Sequence, residues 1–428
     1  MRNIIFKFRQ TISIYLIIFG LRLKAYNLCA LILWLNIRKI KKIDVNYKSK
    51  NIKKVLVFPK SAGNEDLLEA FKNKKNNDII FFILPRRFLK GIHKHCFKDI
   101  RIKDYFTKIE GYEKVYKKKI YVKSLIKIFN SLNKFINFDS FISFNIFYYA
   151  EKYLDDVCVN LNKKFIVLHK ESTFTPLEEK GASIVYGKNN DKSLASKISV
   201  YSKTQKDILI KSKIASEKQI IVNGCPRSDY SFELRKSKPK NDLIVYYLIE
   251  KRRAHNLISK KKKFNWDNLY SQTLKYLLEY IKNNPHIKLI LKGKTGIHNN
   301  IKNAKFLNNN CVFIDGGTGE KLLKNAKVVI AFNTTILFEA IAGNRNLIIP
   351  NFNNENTKKR DSVYKIKNSD YFVNSKSHFF KKINFYLNSK HKNRKLQNKE
   401  KKVLNYYLGN IDGKSGKRLA NFLRKTIS

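Results

Sequence analysis

Residues 327–352 read KVVIAFNTTILFEAIAGNRNLIIPNF, and this stretch decides the fold class. A β-branched apolar run ends at Phe332 and reads as a buried strand. Asn333, Thr334 and Thr335 form a turn, and a helix over 335–342 starts at once. Gly343 caps that helix, residues 347–349 form the next strand, and Pro350 closes it. Strand, turn, helix, strand is the repeating unit of a parallel α/β sheet.

The same unit recurs outward from this stretch. Strands over 243–249, 287–291 and 312–314 alternate with helices over 266–282 and 320–324. In the first of these helices Leu269, Thr273, Tyr276, Leu277 and Tyr280 fall at helical spacing, and Pro285 ends it. An earlier series places strands over 54–59, 78–85, 140–146, 164–169, 183–186, 198–201 and 219–222. Its helices are expected over 65–72, from residue 146 through 155, and over 203–212 with Thr204 as cap. Residues 100–138 are basic and aromatic and give no clear element. The polar stretch 231–242 (SFELRKSKPKND) lacks periodicity and is the expected domain boundary. The expected organisation is apolar and basic helices over 1–45, a Rossmann-like domain over 46–235, and a second over 236–428 that ends in basic helices. The fold class is α/β, with two parallel-sheet domains facing each other across a cleft. Ligands are expected at the carboxyl ends of the strands.

Composition narrows the field. The chain has 428 residues, 43% hydrophobic, so it can bury a large core, and wholesale disorder is excluded. Lys and Arg number 88 against 33 Asp and Glu, a formal charge of +55. That excess suits nucleic acid, anionic lipid, or a drift toward A- and T-rich codons that spreads Lys over every surface. The Lys residues run through almost every polar segment rather than one face with stacking aromatics, so no nucleic-acid partner is expected. Cys29, Cys96, Cys158, Cys225 and Cys311 are scattered and odd in number, which fits a reducing compartment better than a disulfide framework. His93 and His95 beside Cys96 match no common metal-ligand spacing, and no metal is expected.

The amino terminus has two apolar stretches, 12–21 and 25–37, interrupted by Arg22 and Lys24. Neither reaches the ~20 residues needed to span a bilayer. Two helices lying in an anionic membrane surface fit, with Arg2, Lys7, Arg9, Arg38, Lys39, Lys41 and Lys42 toward headgroups. The plainer alternative is a helix packed on the protein's own core.

Five turns sit where ligands are expected. Thr334 and Thr335 open a helix, whose unpaired N–H groups and partial positive charge suit a phosphate, and Glu339 one turn on could accept from ribose hydroxyls. An ordinary N-cap by Asn333 or Thr334 reads equally well. Lys292 and Lys294 in LKGKTG (291–296) could neutralise a diphosphate, although the glycine spacing of a phosphate loop is missing. Gly316, Gly317 and Thr318 in DGGTG (315–319) allow close backbone approach to a ligand, or make a plain tight turn. His169 and Glu171 follow a strand of the first domain, where either could take a proton from an acceptor hydroxyl, or could be a buried His and a surface Glu. Residues 223–229 (NGCPRSD) read as a structural hinge.

Taken in order, GCPRSD, LKGKTG, DGGTG and VVIAFNTTILFEAIAGNRNLIIP resemble the GT-B type glycosyltransferases of bacterial surface-carbohydrate and capsule polysaccharide biosynthesis. Wider relatives of that group are the CDP-glycerol glycerophosphotransferases and the UDP-N-acetylglucosamine 2-epimerases. The resemblance is clearest over 164–352, and the ending LGNIDG (408–413) is also similar. It implies a nucleotide-activated sugar held by the second domain, with Thr334 and Thr335 at phosphate and Glu339 at ribose, and a glycan or glycolipid acceptor held by the first. No acidic DxD pair stands at a strand end, which agrees with a metal-independent site that takes the sugar nucleotide as co-substrate and needs no other cofactor. The His-rich phosphate motifs of the glycerophosphotransferases are not evident. The expectation is a glycosyltransferase of cell-surface polysaccharide or lipopolysaccharide synthesis, peripheral on the inner face of the cell membrane, with Glu171 or His169 as general base. The alternatives are an epimerase-like or glycerophosphotransferase enzyme, and a non-enzymatic basic protein that binds RNA or anionic lipid.

Overall fold

The structure is a computed structural model that describes residues 2–47, 51–72, 77–97, 111–151, 153–170, 173–189, 192–239, 242–254, 263–294, 296–317, 319–354, 360–366, 369–390 and 395–428. The chain divides into two compact units. Unit 1 comprises residues 1–172, 183–226 and 416–428, and unit 2 comprises 173–182 and 227–415.

Unit 1 is built on a seven-stranded sheet. Its strands are β1 (Arg38–Lys39), β2 (Lys53–Val57), β3 (Ile79–Ile83), β4 (Ser140–Ser143), β5 (Lys164–Leu168), β6 (Lys197–Val200) and β7 (Ile220–Val222). The order is β1-β3-β2-β4-β5-β6-β7, and every pairing is parallel except β1 with β3. The chain runs from β2 to β3 and then crosses back to place β4 on the other side of β2, so the sheet reverses its winding between β2 and β4. Helices α1 (Arg2–Arg22), α2 (Tyr26–Asn36), α3 (Ser61–Phe71), α4 (Arg87–Cys96), α5 (Tyr112–Ile136) and α6 (Leu154–Asn160) precede or connect these strands.

Three differences from the sequence reading have local causes. Residues 183–186, expected as a strand, lie within helix α7 (Pro176–Asn189). Thr175 and Glu178 form a reciprocal cap there, the Thr175 N–H donating to the Glu178 carboxylate at 2.8 Å and the Glu178 N–H to the Thr175 hydroxyl at 3.4 Å. Pro176 follows at the first helical position, and that start overrides the strand-like Ile184-Val185-Tyr186 run. Helix α8 (Lys203–Lys211) is capped by Ser202, whose hydroxyl accepts from the Gln205 N–H at 3.4 Å, and not by Thr204. Residues 146–151 and 153 are not helical, and α6 begins only at Leu154.

Unit 2 carries a six-stranded, wholly parallel sheet in the order β12-β11-β8-β13-β14-β15. The strands are β8 (Leu243–Tyr247), β11 (Lys288–Gly293), β12 (Cys311–Asp315), β13 (Val328–Ile330), β14 (Asn346–Pro350) and β15 (Phe372–Val373). A short hairpin of β9 (Arg252–Ala254) and β10 (Lys263–Asn265) stands apart from it in the pairing. The connecting helices are α9 (Ser228–Glu233), α10 (Asp267–Asn283), α11 (Glu320–Leu323), α12 (Ile336–Ala342), α13 (Lys376–Asn388) and α14 (Asn398–Leu408). Both sheets are thus the doubly wound, Rossmann-like α/β kind.

The division between the units falls at 226/227, inside the NGCPRSD turn, where Gly224 adopts φ +80°. The polar segment expected as the boundary lies downstream, and α9 already belongs to unit 2. The final helix, α15 (Ser415–Ile427), was expected in the second domain, but residues 416–428 return to unit 1. The reason is apolar burial. Leu419, Ala420, Leu423 and Ile427 join Val55, Val57, Leu67, Phe71, Ile142 and Ile166 in one buried cluster. Gly416 permits that approach, because a Cβ there would lie 3.0 Å from the Glu69 carbonyl oxygen.

Candidate functional site

The sheet of unit 2 also reverses its winding. The chain passes from β8 outward to β11 and β12, then returns to place β13 on the opposite side of β8. Loops leaving β8 and β13 diverge at such a point and leave a crevice at the strand carboxyl ends. Of the described residues singled out from the sequence of the second domain, Lys292 lies near the end of β11, Lys294, Gly316, Gly317, Asn333, Thr334 and Thr335 follow β11, β12 and β13, and Glu339 lies on α12.

Lys292, the penultimate residue of β11, is buried. Its ammonium donates to the Gly293 carbonyl at 2.7 Å and to the Gly316 carbonyl, which ties the ends of β11 and β12 together. Burial lowers its pKa, with Asp315 opposing. An ammonium carries three N–H donors, and Lys292 spends two on these carbonyls. Lys294 is exposed, with its ammonium 3.8 Å from a Glu250 carboxylate oxygen. Gly293 needs its missing side chain, since a Cβ would lie 2.7 Å from the Phe313 ring.

Gly316 and Gly317 both adopt left-handed φ, +69° and +73°. A Cβ at Gly317 would meet nothing within 4 Å, so the backbone there faces open space. Thr318 lies outside the described residues.

Asn333 takes φ +48°, which Asn tolerates, and turns the chain sharply after β13. Its side-chain amide is spent on the 360–366 segment. Nδ2 donates to the Ser362 carbonyl at 3.0 Å, and Oδ1 accepts from the Tyr364 N–H at 3.2 Å. Asn333, grouped with Thr334 and Thr335 as a nucleotide-binding candidate, thus braces the turn against the 360–366 segment. Thr334 and Thr335 are half-buried and donate neither hydroxyl nor backbone N–H to any described residue. Helix α12 has only seven residues. A helix of that length has a weak macrodipole, and the Thr hydroxyls and N–H groups are the stronger feature.

Glu339 is buried on α12. Its charge and that of Glu320 act on Tyr247, the last residue of β8, whose phenol burial pushes well above its usual value. The Tyr247 hydroxyl donates to the Gly319 carbonyl at 2.6 Å. Gly319 fits closely there, for a Cβ would lie 2.9 Å from the Tyr247 ring.

Sequence reasoning missed two residues at this end of the sheet. Tyr247 reads as one more apolar residue of a buried strand. His298 follows the LKGKTG turn, is buried, and stacks on Tyr270 of α10 at 5.9 Å and 15°. Burial lowers the His298 pKa, with Glu250 opposing. Its place shortly after a strand end was the available signal.

In unit 1, His169 is wholly buried and stands edge-on to Phe147, with ring centroids 5.6 Å apart. A base with no exposed surface does not meet a dissolved acceptor, so the role expected of His169 finds no geometric support. Glu171 lies outside the described residues. None of the five cysteines forms a disulfide. Among the described residues no helix is long and apolar enough to cross a membrane.

No family model matches the chain, and no curated protein matches it in sequence. Solved structures similar to it include UDP-GlcNAc 2-epimerase from Neisseria meningitidis bound to UDP-GlcNAc, 10% identical, covering 87% of this chain and 100% of that one at a TM-score of 0.45. The glycotransferase of kitacinnamycin is 9% identical and covers 88% of this chain and 98% of that one at a TM-score of 0.44. Trehalose 6-phosphate synthase from Burkholderia multivorans is 9% identical and covers 87% and 96% at a TM-score of 0.41.

Proposed function

We propose that the protein is a GT-B type glycosyltransferase that moves a sugar from a nucleotide-activated donor to a cell-surface polysaccharide or lipopolysaccharide acceptor. The observation that carries this reading is the group of hydrogen-bond donors at the winding reversal of unit 2. There stand a buried ammonium with a donor to spare, a Gly317 backbone that faces open space, and two threonines that donate to no described residue. These are donors arranged for an anion. In the proposed reaction they hold the diphosphate and stabilise the charge that builds on it as the glycosidic bond to the leaving oxygen breaks. Glu339 accepts from the ribose hydroxyls, and the charge on the leaving group is met by the protein's own Lys292, with the exposed Lys294 adding a weaker, screened attraction.

A peripheral membrane position is part of the proposal. Phe8, Tyr15, Phe19 and Leu23 of α1 and its turn, and Trp34 and Leu35 of α2, are exposed. Trp34 stacks on the exposed Phe135 of α5 at 5.7 Å. Arg22, Lys24, Arg38, Lys41 and Lys42 are exposed beside them in the chain. Aromatic side chains flanked by cations suit the boundary of an anionic bilayer on the cytoplasmic face.

The test is donor binding. Titration with UDP and other nucleoside diphosphates should give saturable binding, and Glu339→Ala should weaken it by ~10-fold or more, the scale of a lost hydrogen bond to a charged group. Unchanged nucleotide affinity in that variant removes Glu339 from the ribose. Absence of binding by every nucleoside diphosphate removes the transferase reading altogether.

A further inference from the structure

The winding of unit 1 reverses between β2 and β4, and the loops at that point hold a group of charges that no sequence motif announced. Arg86 follows β3, Lys60 follows β2, and Tyr148 and Glu151 lie in the loop after β4. These are three adjacent strands, so the residues meet at one end of the sheet. The loop after β4 also packs closely on the first turn of α3, where a Cβ at Gly63 would lie 2.2 Å from the Phe144 ring.

Arg86 is held on two sides. Its Nε donates to the Glu151 carboxylate, and its guanidinium carbon lies 3.9 Å from the Tyr148 ring centroid. Glu151 is 1% exposed, and its second oxygen accepts from the Ser143 hydroxyl. A buried carboxylate and an aromatic face thus fix the guanidinium plane. Among the described residues the outer Nη groups of Arg86 have no acceptor. Lys90 stands one turn further along α4, and no described residue accepts from its ammonium. Burial and the charge of Arg86 lower the Lys90 pKa, with Glu151 opposing. Lys60 lies 5.5 Å from the Tyr148 centroid.

Like charges at i and i+4 on a helix destabilise it. Here Arg86 and Lys90 act on one carboxylate, and that carboxylate is already committed to Arg86. The Arg86 side chain is 11% exposed, and a planar fork anchored through Nε with its Nη groups left without an acceptor is the geometry that grips a tetrahedral oxyanion by two parallel hydrogen bonds. A second oxyanion ligand at this point explains why the charges are tolerated.

We propose that unit 1 binds the phosphate group of a phosphorylated ligand at this end of β2, β3 and β4, with Arg86 gripping it through its outer fork and Lys90 and Lys60 supplying further positive charge. On the transferase reading this ligand is the acceptor, whose class then becomes a sugar phosphate or a lipid phosphate. Binding itself does not require that reading.

The experiment uses the whole chain at fixed ionic strength. Inorganic phosphate, a soluble sugar phosphate, and vesicles containing phosphatidate are titrated into wild type, Arg86→Lys and Lys90→Met, with UDP titrated in parallel. At least one phosphate carrier is expected to bind wild type and to bind each variant at least ~10-fold more weakly, with UDP affinity unchanged. The carrier that binds identifies the source of the phosphate. Arg86→Lys keeps a cation beside Glu151, and Lys90→Met leaves the Arg86–Glu151 hydrogen bond in place, so the two variants guard each other against misfolding. Wild type that binds none of the three carriers overturns the proposal, as do variants that bind as tightly as wild type. Retained, Arg86-dependent phosphate binding without binding of UDP or any other nucleoside diphosphate leaves this site standing and overturns the transferase reading.

Discussion

Replacing Lys292 by Met separates a ligand-binding ammonium from a structural clip. The Lys292 ammonium bridges the Gly293 and Gly316 carbonyls and retains one N–H without a protein acceptor. If that donor meets the donor diphosphate, its loss removes one charged hydrogen bond, worth about 1.5–3 kcal/mol. That corresponds to a ~10- to 150-fold rise in Kd for UDP. The cost to folding is smaller than the two lost bonds suggest. The Gly293 carbonyl keeps the Gly316 N–H at 3.3 Å, so only the Gly316 carbonyl loses a partner, at about 1–3 kcal/mol. Met preserves the packing of the stem and relieves the burial of a cation whose pKa is already lowered. The thermal midpoint should fall by only a few degrees, at ~2–4 °C per kcal/mol for a unit of this size. Isothermal titration with UDP, alongside thermal unfolding, reads both quantities. Lys294→Met is the companion, and its exposed ammonium should change the Kd by less than about threefold at physiological salt. A Lys292→Met protein that binds UDP within twofold of wild type while its midpoint drops would refute the reasoning and reduce Lys292 to a clip.

Two further expectations concern unit 1. Burial raises the Asp155 pKa from 3.8 to about 6, although the Leu194 and Asp156 N–H groups donate to it at 2.9 and 2.8 Å. The folded form therefore holds its proton to higher pH than the unfolded chain, so the stability cost is absent below about pH 4, grows up to about pH 6, and is complete above it. At ~1.4 kcal/mol per pH unit, Asp155→Asn should gain about 3 kcal/mol relative to wild type between pH 4 and pH 8 in urea unfolding, and parallel profiles would rule this out. Leu423→Ala, at a side chain with no exposure in the core cluster, should cost about 2–5 kcal/mol, and a loss below ~0.5 kcal/mol in the same assay would mean that α15 does not seal unit 1.

Most strands of both sheets were legible because each is a short apolar run closed by a turn residue, as in KVLVFP, KFIVLH and VVIAFN. Helix α5 was missed although Tyr121, Leu125, Ile128, Phe129, Leu132 and Ile136, all buried, keep helical spacing. The many lysines around them drew the reading toward irregular structure. The return of α15 to unit 1 could not be read, because its partners such as Val55 and Leu67 lie hundreds of positions away and no local pattern encodes that pairing. The site in unit 2 was legible in part, since Lys292, Gly316 and Thr334 follow recognisable strand ends. The Arg86–Glu151 pair was not, because 65 positions separate residues that only the sheet order brings together.

The return of residues 416–428 to unit 1 also sets a timetable for biosynthesis. The ribosome must deliver all of residues 227–415 before the helix that completes the first core exists. At ~5–20 residues per second, that is a delay of roughly 10–40 s. During that interval the nascent amino-terminal half shows uncovered Val55, Leu67 and Phe71 to the cell, and chaperone occupancy should be greatest then.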